Sequence, residues 1–439
     1  MLLRNPTKHR LRSKKNNYMR HYPSYCADII YIVILITLVF YCSSVHALNL
    51  VEAYQLALAH DVQFQSAQAE WEINQALAQQ AKTAYLPEAS YNRVDIPTEK
   101  SPVQTLTLTQ PVFNLNRYAT FKQAEPRKRL AIAAFQLRQQ ELSTRLLMVV
   151  NELVRTRENS VLHQAKMTEL KQQYARAQRM YDLGHGTITD VRDTQVQYQQ
   201  AQADQVLHEV DIQVAEKAFF DLTGVMPAAE HFALPPAEFS ITLEPLDLLQ
   251  QHLEQTNPAI NMAWHNVELK KLDAKRVQSN ILPSVYATYS RSSYSNTLNI
   301  TTGLTVSIPL NFGNYYALRA ATAETAKANT EHQSRKQQLK RELERVYAMF
   351  EAGQQALKIQ QNAITSAELS VAANRKSYEG GIRSNIDVVN SIQVLFKVKN
   401  QYVVTLTRQA ENLLKLLLLA GYEVDKSMAL VQHFLFRIK

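Results

Sequence analysis

Cysteine is almost missing from this chain: 439 residues contain 2, Cys26 and Cys42, and none follows position 42. Disulfide scaffolding and thiol chemistry are thereby excluded for everything downstream. Glycine is scarce as well, 9 in all, which fits a chain built mostly of long helices rather than of turns and bulges. Enzyme signatures are missing too. The 12 histidines are scattered, with no metal-ligand spacing of the H-E-x-x-H kind. Gly184-His185-Gly186 lacks the Lys-Ser/Thr that completes a phosphate loop. The sequence therefore offers no catalytic residue, no metal site and no cofactor.

Net charge is also small once the first 47 residues are set aside. Arg4, Lys8, Arg10, Arg12, Lys14, Lys15 and Arg20 form a basic leader, the apolar run Ile29 to Tyr41 follows, and Val45-His46-Ala47 reads as a small-residue cleavage site. This is the pattern of a secretory signal, residues 1–47, with Met19 as an alternative start. A permanent transmembrane anchor is the competing reading, disfavoured because the run is short for a bilayer span. Val39-Phe40-Tyr41-Cys42 lacks the small residues expected before a lipid-modified cysteine. The leader holds 7 of the 48 Lys and Arg and 1 of the 39 Asp and Glu, leaving 41 against 38, a balance of +3. The basic character is thus mostly the leader's and is no argument for nucleic acid.

What the chain does have is one stretch, twice. Tyr181-Asp182-Leu183-Gly184-His185-Gly186-Thr187-Ile188-Thr189-Asp190-Val191 returns as Tyr378-Glu379-Gly380-Gly381-Ile382-Arg383-Ser384-Asn385-Ile386-Asp387-Val388, 197 residues later. Each copy interrupts a long helical pattern. Gly184 and Gly381 suit the left-handed residue just past a helix end. Thr187 with Asp190, and Ser384 with Asp387, have the spacing of a capping box opening the next helix. Each stretch reads as the tight tip of a two-helix hairpin.

The rest of the chain repeats around these tips. A helix over 48–84 ends at Tyr85-Leu86-Pro87, and one over 246–280, with Asn257-Pro258 in its first turns, ends at Ile281-Leu282-Pro283. Strand patterns over about 88–113 and 284–310 come next. In the second, Leu298, Ile300, Leu304, Val306, Ile308 and Leu310 alternate with Asn299, Thr301, Gly303, Thr305 and Ser307. Helices of nearly 70 residues follow, rods of roughly 100 Å, with Pro126 expected to kink the first or delay its start. After each tip a shorter helix runs to Gly224 or Gly421. The plan is an internal duplication: residues 48–230 with tip 181–190, a linker 231–245 carrying Pro235-Pro236, residues 246–421 with tip 378–387, and a brief tail 422–439. The Leu414 to Leu419 cluster reads as helix-end packing.

The hairpins have one apolar and one polar face and lengths near the 9–11 residues, or about 30 Å of bilayer, that a strand must cross. Open sheet edges are not tolerated in lipid, and four strands cannot close a barrel, so a membrane-embedded sheet demands several chains. Helices of such length need lateral neighbours, as in a tube. Each shorter helix is about half a long one, so two stacked end to end match it, giving four columns per chain. The expected fold is mainly α with a membrane β-barrel. Ile300, Leu304, Val306 and Ile308 face lipid in it.

Together these residues resemble the TolC-type outer-membrane efflux protein family. The resemblance rests on Leu50-Val51-Glu52-Ala53-Tyr54-Gln55-Leu56-Ala57, the two Leu-Pro junctions, Gln110-Pro111-Val112-Phe113 and above all the two tips. It implies a homotrimer with a 12-strand barrel in outer-membrane lipid, continued by a 12-column helical tunnel through the periplasm. It also implies a passive exit duct for an inner-membrane pump, ABC-type or proton-driven, reached through a periplasmic adaptor protein. The implied docking tips are Gly184, Gly186, Thr187, Gly380, Gly381 and Ser384. The implied constriction places Asp387 in an aspartate ring, with Asn390 where a second aspartate is expected. Arg383 and Tyr378 would tie the second hairpin to its neighbours, with Asp190 as the arginine's acceptor. The first strand departs from the pattern by carrying Glu88, Arg93 and Asp95. The rival reading is a periplasmic coiled-coil adaptor or structural rod; an adaptor needs a compact β-rich module that is not visible, and a rod needs no alternating strands.

Overall fold

Twice the chain runs two short helices, a strand pair, a very long helix and a half-length helix. The computed structural model describes residues 48–95, 102–228, 231–232, 234, 241–294 and 297–436. The expected leader 1–47, residues 96–101 of the expected loop 97–102, and residues 233 and 235–240 of the linker 231–245, with Pro235-Pro236, lie outside the described residues.

The first copy holds α1 (Leu50–His60), α2 (Val62–Lys82), β1 (Glu88–Val94), β2 (Val103–Phe113), α3 (Leu115–Asp182) and α4 (Ile188–Thr223). The second holds α5 (Leu246–Thr256), α6 (Pro258–Gln278), β3 (Ser284–Tyr294), β4 (Thr297–Ser307), α7 (Gly313–Glu379) and α8 (Asn385–Ala420). A last helix, α9 (Val424–Phe436), follows. Both helices expected to be continuous are broken once. Asp61 and Asn257 are extended, not helical, and their side chains cap the helix that follows, Asp61 through Phe64 N–H and Asn257 through Ala259 and Ile260 N–H. Neither a glycine nor a helix-interior proline marks Asp61, so the sequence reads through it. Pro126 lies well inside α3, which starts at Leu115. The brief tail is not loose: Met428, Val431, Phe434 and Leu435 of α9 are buried in the central core.

The four strands form one antiparallel sheet in the order β1-β2-β3-β4. Register sorts the side chains. One face stacks Ser90, Thr107, Ser290 and Thr301 in one row, and Asn92, Thr105, Ser292 and Asn299 in the next. The other carries Leu106, Leu108, Ala287, Ile300, Leu304 and Val306, broken by Arg93 and Arg291 close to the hairpin turns. β1 forms despite its charges and pairs with β2 from end to end. Ile308 departs from expectation, since β4 ends at Ser307, opposite the first residue of β3. With no partner left to pair, and Pro309 next, the strand stops before it. Both sheet edges, β1 and β4, lack a partner strand among the described residues.

The half-length helices meet the short ones end on. A Cβ on Gly224 would stand 2.9 Å from the His60 ring, and one on Gly421 would stand 2.9 Å from Asn257 N. Asn257 also donates its side-chain amide to Leu419 O, 2.8 Å away, so one residue closes α8 and opens α6. At the matching joint Asp61 has no donor to offer, and Arg145 of α3 grips it through two bonds of 3.2 and 2.7 Å. Of the Leu414 to Leu419 cluster, Leu414, Leu416, Leu417 and Leu418 are buried in the core beside these joints and Leu419 packs against it, the helix-end packing expected of it.

Candidate gate at the paired helical tips

At the far end of both hairpins the chain turns in the same way. Gly184 and Gly381 have φ of 76° and 71°. His185 N–H donates to Met180 O (2.8 Å), and Ile382 N–H to Ser377 O (2.9 Å), the reach-back that satisfies terminal carbonyls. Both capping boxes are present. Asp190 Oδ2 accepts from Thr187 Oγ1 at 2.7 Å, and Asp387 Oδ2 from Ser384 Oγ at 2.8 Å. Gly380 has ordinary right-handed φ, like Leu183 in the other copy, so the turn uses it for no special conformation. Gly186 is short of space rather than strained, because a Cβ there would meet Tyr181 N at 3.0 Å.

The residues expected at a constriction share one side of the second tip, with Arg383 in the turn just before α8. Arg383, Asp387 and Asn390 lie on that outward side, and Val388 and Val389 on the packed side of α8. Hydrogen bonds from the Ser384 hydroxyl and N–H hold the Asp387 carboxyl below the usual carboxylate range, helped by Arg383. The expected Arg383 to Asp190 contact is not made within one chain. Arg383 reaches only Asp387, at 4.0 Å, one turn on along the same tip, while the Asp190 carboxylate is engaged by Thr187 on the other. Tyr378 is buried between the hairpins, and burial, then the nearby Asp190 charge, raises its hydroxyl pKa. Among the described residues that hydroxyl has no hydrogen-bond partner.

One buried link between the tips is a cluster that sequence reasoning missed. Asn385 is 2 % exposed. Its carbonyl accepts from Gln173 Nε2 of α3 at 2.7 Å, and its amide donates to Asp190 O (3.0 Å) and to Thr194 Oγ1 of α4. Gln173 and Thr194 are buried too. Three helices thus meet at one buried polar point beside both tips. Its only sequence signal is that Asn385 stands where the other copy has Ile188. Among the described residues no three His, Cys, Asp or Glu side chains gather to hold a metal, and no helix is long and apolar enough to cross a membrane.

The family model for the outer membrane efflux protein matches residues 53–225 and 248–422. The chain belongs to that family. It is 26 % identical over 393 residues to the alkaline protease secretion protein AprF of Pseudomonas aeruginosa, covering 81 % of this chain and 80 % of that one. It is 26 % identical over 441 residues to the proteases secretion protein PrtF of Dickeya chrysanthemi, covering 90 % and 93 %. Its fold matches the crystal structure of the outer membrane protein VceC of Vibrio cholerae with a TM-score of 0.72, at 19 % identity and over 85 % of this chain and 96 % of that one. The TolC-type resemblance therefore holds. The chain is an outer-membrane exit duct for efflux or secretion that extends into the periplasm, and members of its family are channels.

Proposed function

We propose that three copies of this chain close a 12-strand barrel and a 12-column tunnel, and that the duct serves a type I secretion system. An ABC-type inner-membrane pump and a periplasmic adaptor at the tips drive it. The observation that carries the assembly is the sheet. It is amphipathic across four strands and open at both edges, and lipid cannot satisfy open edges. Three copies give an even-stranded, closed wall with the Ser/Thr face inside. The names of AprF and PrtF support a polypeptide cargo. Outer-membrane fractions should yield heat-resistant trimers, and deleting the gene should remove a secreted polypeptide from the medium while drug susceptibility stays unchanged. A soluble monomer would refute the duct, and drug sensitivity with normal secretion would refute the cargo.

At the tips, three Asp387 carboxylates form one ring, with three Asn390 amides as a neutral second tier. Cations are favoured, more weakly than by two carboxylate rings. Closure is shared by Tyr378 toward Asp190 and by Arg383 toward Asp190 of the neighbouring chain. Each such link is modest, about 0.5–1.5 kcal/mol for the hydrogen bond and about 0.2–1 kcal/mol for an exposed pair. A docked partner can therefore reverse them by differential binding. Arg383→Ser with Tyr378→Phe should raise conductance in planar bilayers; unchanged conductance would remove the latch.

A further inference from the structure

The four strands carry three charged residues, and these are sorted by face and by end. Glu88 lies on the Ser/Thr face at the helix end of the sheet, where Arg117 Nη2 donates to it at 2.9 Å. Arg93 and Arg291 lie on the apolar face at the opposite end. Register fixes their neighbours. On that face the row nearest the hairpin turns is Arg93, Gln104, Ser293 and Leu298, and the next is Tyr91, Leu106, Arg291 and Ile300.

Arginines facing water beside a turn would need no explanation, but these stand on the wall assigned to lipid. Arg291 is opposite Ile300, three residues in from the start of β4 at Thr297. That is about 10 Å along the strand, and roughly 7–8 Å of depth at barrel tilt. The helices leave on the periplasmic side, so in the proposed barrel this depth lies under the headgroups of the outer leaflet. An arginine in hydrocarbon is costly, and it is retained where its head reaches the interface or meets an anion. The sheet supplies Arg291 with no anion: it is exposed and forms no ion pair among the described residues. Arg93 has only Asp95, with Nε and Nη2 sharing one carboxylate oxygen at 3.4 and 3.2 Å. Both side chains of that pair are more than half exposed, so it contributes little and is readily exchanged.

The two cations are two strands apart and offset by two residues. Strand spacing and rise put their Cα atoms roughly 12 Å from each other, within reach of one headgroup. Gln104 and Ser293 lie between them as neutral hydrogen-bonding groups. Tyr91 and Tyr289 share the face, and tyrosine is favoured at headgroup level. Further from the turns, Leu108 and Leu304 continue the apolar surface begun by Leu106 and Ile300. The face is therefore cationic where a lipid is polar and apolar where a lipid is apolar. Guanidinium forks fit phosphate oxygens two at a time. We propose that Arg93 and Arg291 form a site on the outer wall of the barrel for an outer-leaflet lipid that carries phosphate on its headgroup. The phosphate oxygens accept from both arginines, and the acyl chains lie along Leu106 and Ile300. β1 is an edge strand, and in the closed barrel it pairs with β4 of the next chain, so a lipid held at Arg93 touches two chains. This rests on the trimeric barrel proposed above.

The test uses full-length trimers purified in mild detergent, with native mass spectrometry to count retained lipid. The probes are diphosphoryl lipid A, the same lipid with both phosphates removed, and inorganic phosphate. Wild-type trimers should retain the diphosphoryl lipid, one per chain, and several-fold less of the dephosphorylated form. Arg93→Gln with Arg291→Gln should assemble as well as wild type, because only charge leaves a lipid-facing wall, yet retain several-fold less of the diphosphoryl lipid. That lipid should also raise the temperature at which wild-type trimers dissociate on gels, and the double variant should lose the rise. Arg291→Lys should keep part of both effects, as a point charge without the fork. Equal retention of the two lipids by the wild type, or of the diphosphoryl lipid by the wild type and the double variant, would overturn the inference. So would an equal rise in dissociation temperature with inorganic phosphate, which would show an anion site that needs no lipid. Wild-type protein that forms no trimers, or does not float with phosphatidylcholine vesicles, would instead remove the barrel reading itself.

Discussion

A charge placed on one face of β4 should stop assembly, and the same charge one residue further should not. Leu304 lies opposite Ala287 on the apolar face and is 70 % exposed in the single chain, while Thr305 lies opposite Tyr286 on the Ser/Thr face. β4 has 11 residues, about 36 Å of strand, which at barrel tilt spans an apolar band about 25 Å tall. The helices join at the Ser307 end, so Leu304 sits about a third of the way into the band from the periplasmic side. Arginine costs about 2–4 kcal/mol at mid-depth and little at the interface, so about 2 kcal/mol is expected here per chain, and about 6 kcal/mol for three. At about 1.4 kcal/mol per factor of ten, that is enough to deplete a marginal assembly. In the proposed barrel Thr305→Arg would leave its charge in lumen water. The assay is the yield of heat-resistant oligomer in the outer-membrane fraction. Equal yields for Leu304→Arg and Thr305→Arg would refute the lipid-facing assignment.

Gly184→Val or Gly381→Val should leave trimers in the membrane and abolish export. Nothing crowds either site, so the cost is the left-handed backbone alone, about 1–2 kcal/mol, and normal export would show that the tips are not the docking surface. Asp387→Asn should lower cation preference while leaving the tip folded, because the amide oxygen can still accept from Ser384; unchanged selectivity would sink the ring. The folded Asp387 pKa is depressed, so its contribution is present above the unfolded value and lost as pH falls through the depressed one, and protease nicking at the second tip should rise only on strong acidification. Arg145→Met strips the buried Asp61 of its partner. It should destabilise the first column toward the low end of the roughly 3–5 kcal/mol seen for broken buried pairs, since Arg145 is about a third exposed; an unchanged melting temperature would contradict this.

The tips were legible because their rules are local. Gly184, Gly224, Gly381 and Gly421 all have positive φ, and both capping boxes form at the spacing the sequence shows. The alternation of β4 was legible for the same reason, since a period of two needs no knowledge of a partner. Three features were not. Asp61 breaks a helix without a breaker residue, because its cap is completed by Arg145, 84 positions away. The end of β4 is set by where β3 begins, which left Ile308 outside. Asn385 looked like any first-turn residue, and only the arrival of Gln173 and Thr194 from two other helices makes it a hub.

Two of these misses, Asp61 and Asn385, share a cause that lies in the duplication itself. Equivalent positions in the two copies occupy unlike surroundings, so sequence divergence at a matched pair marks a difference in what each must hold. Asn257 both accepts and donates, and so joins α8 to α6 without help. Asp61 only accepts, and its joint must recruit a third helix through Arg145. The same contrast separates Asn385 from Ile188 at the tips.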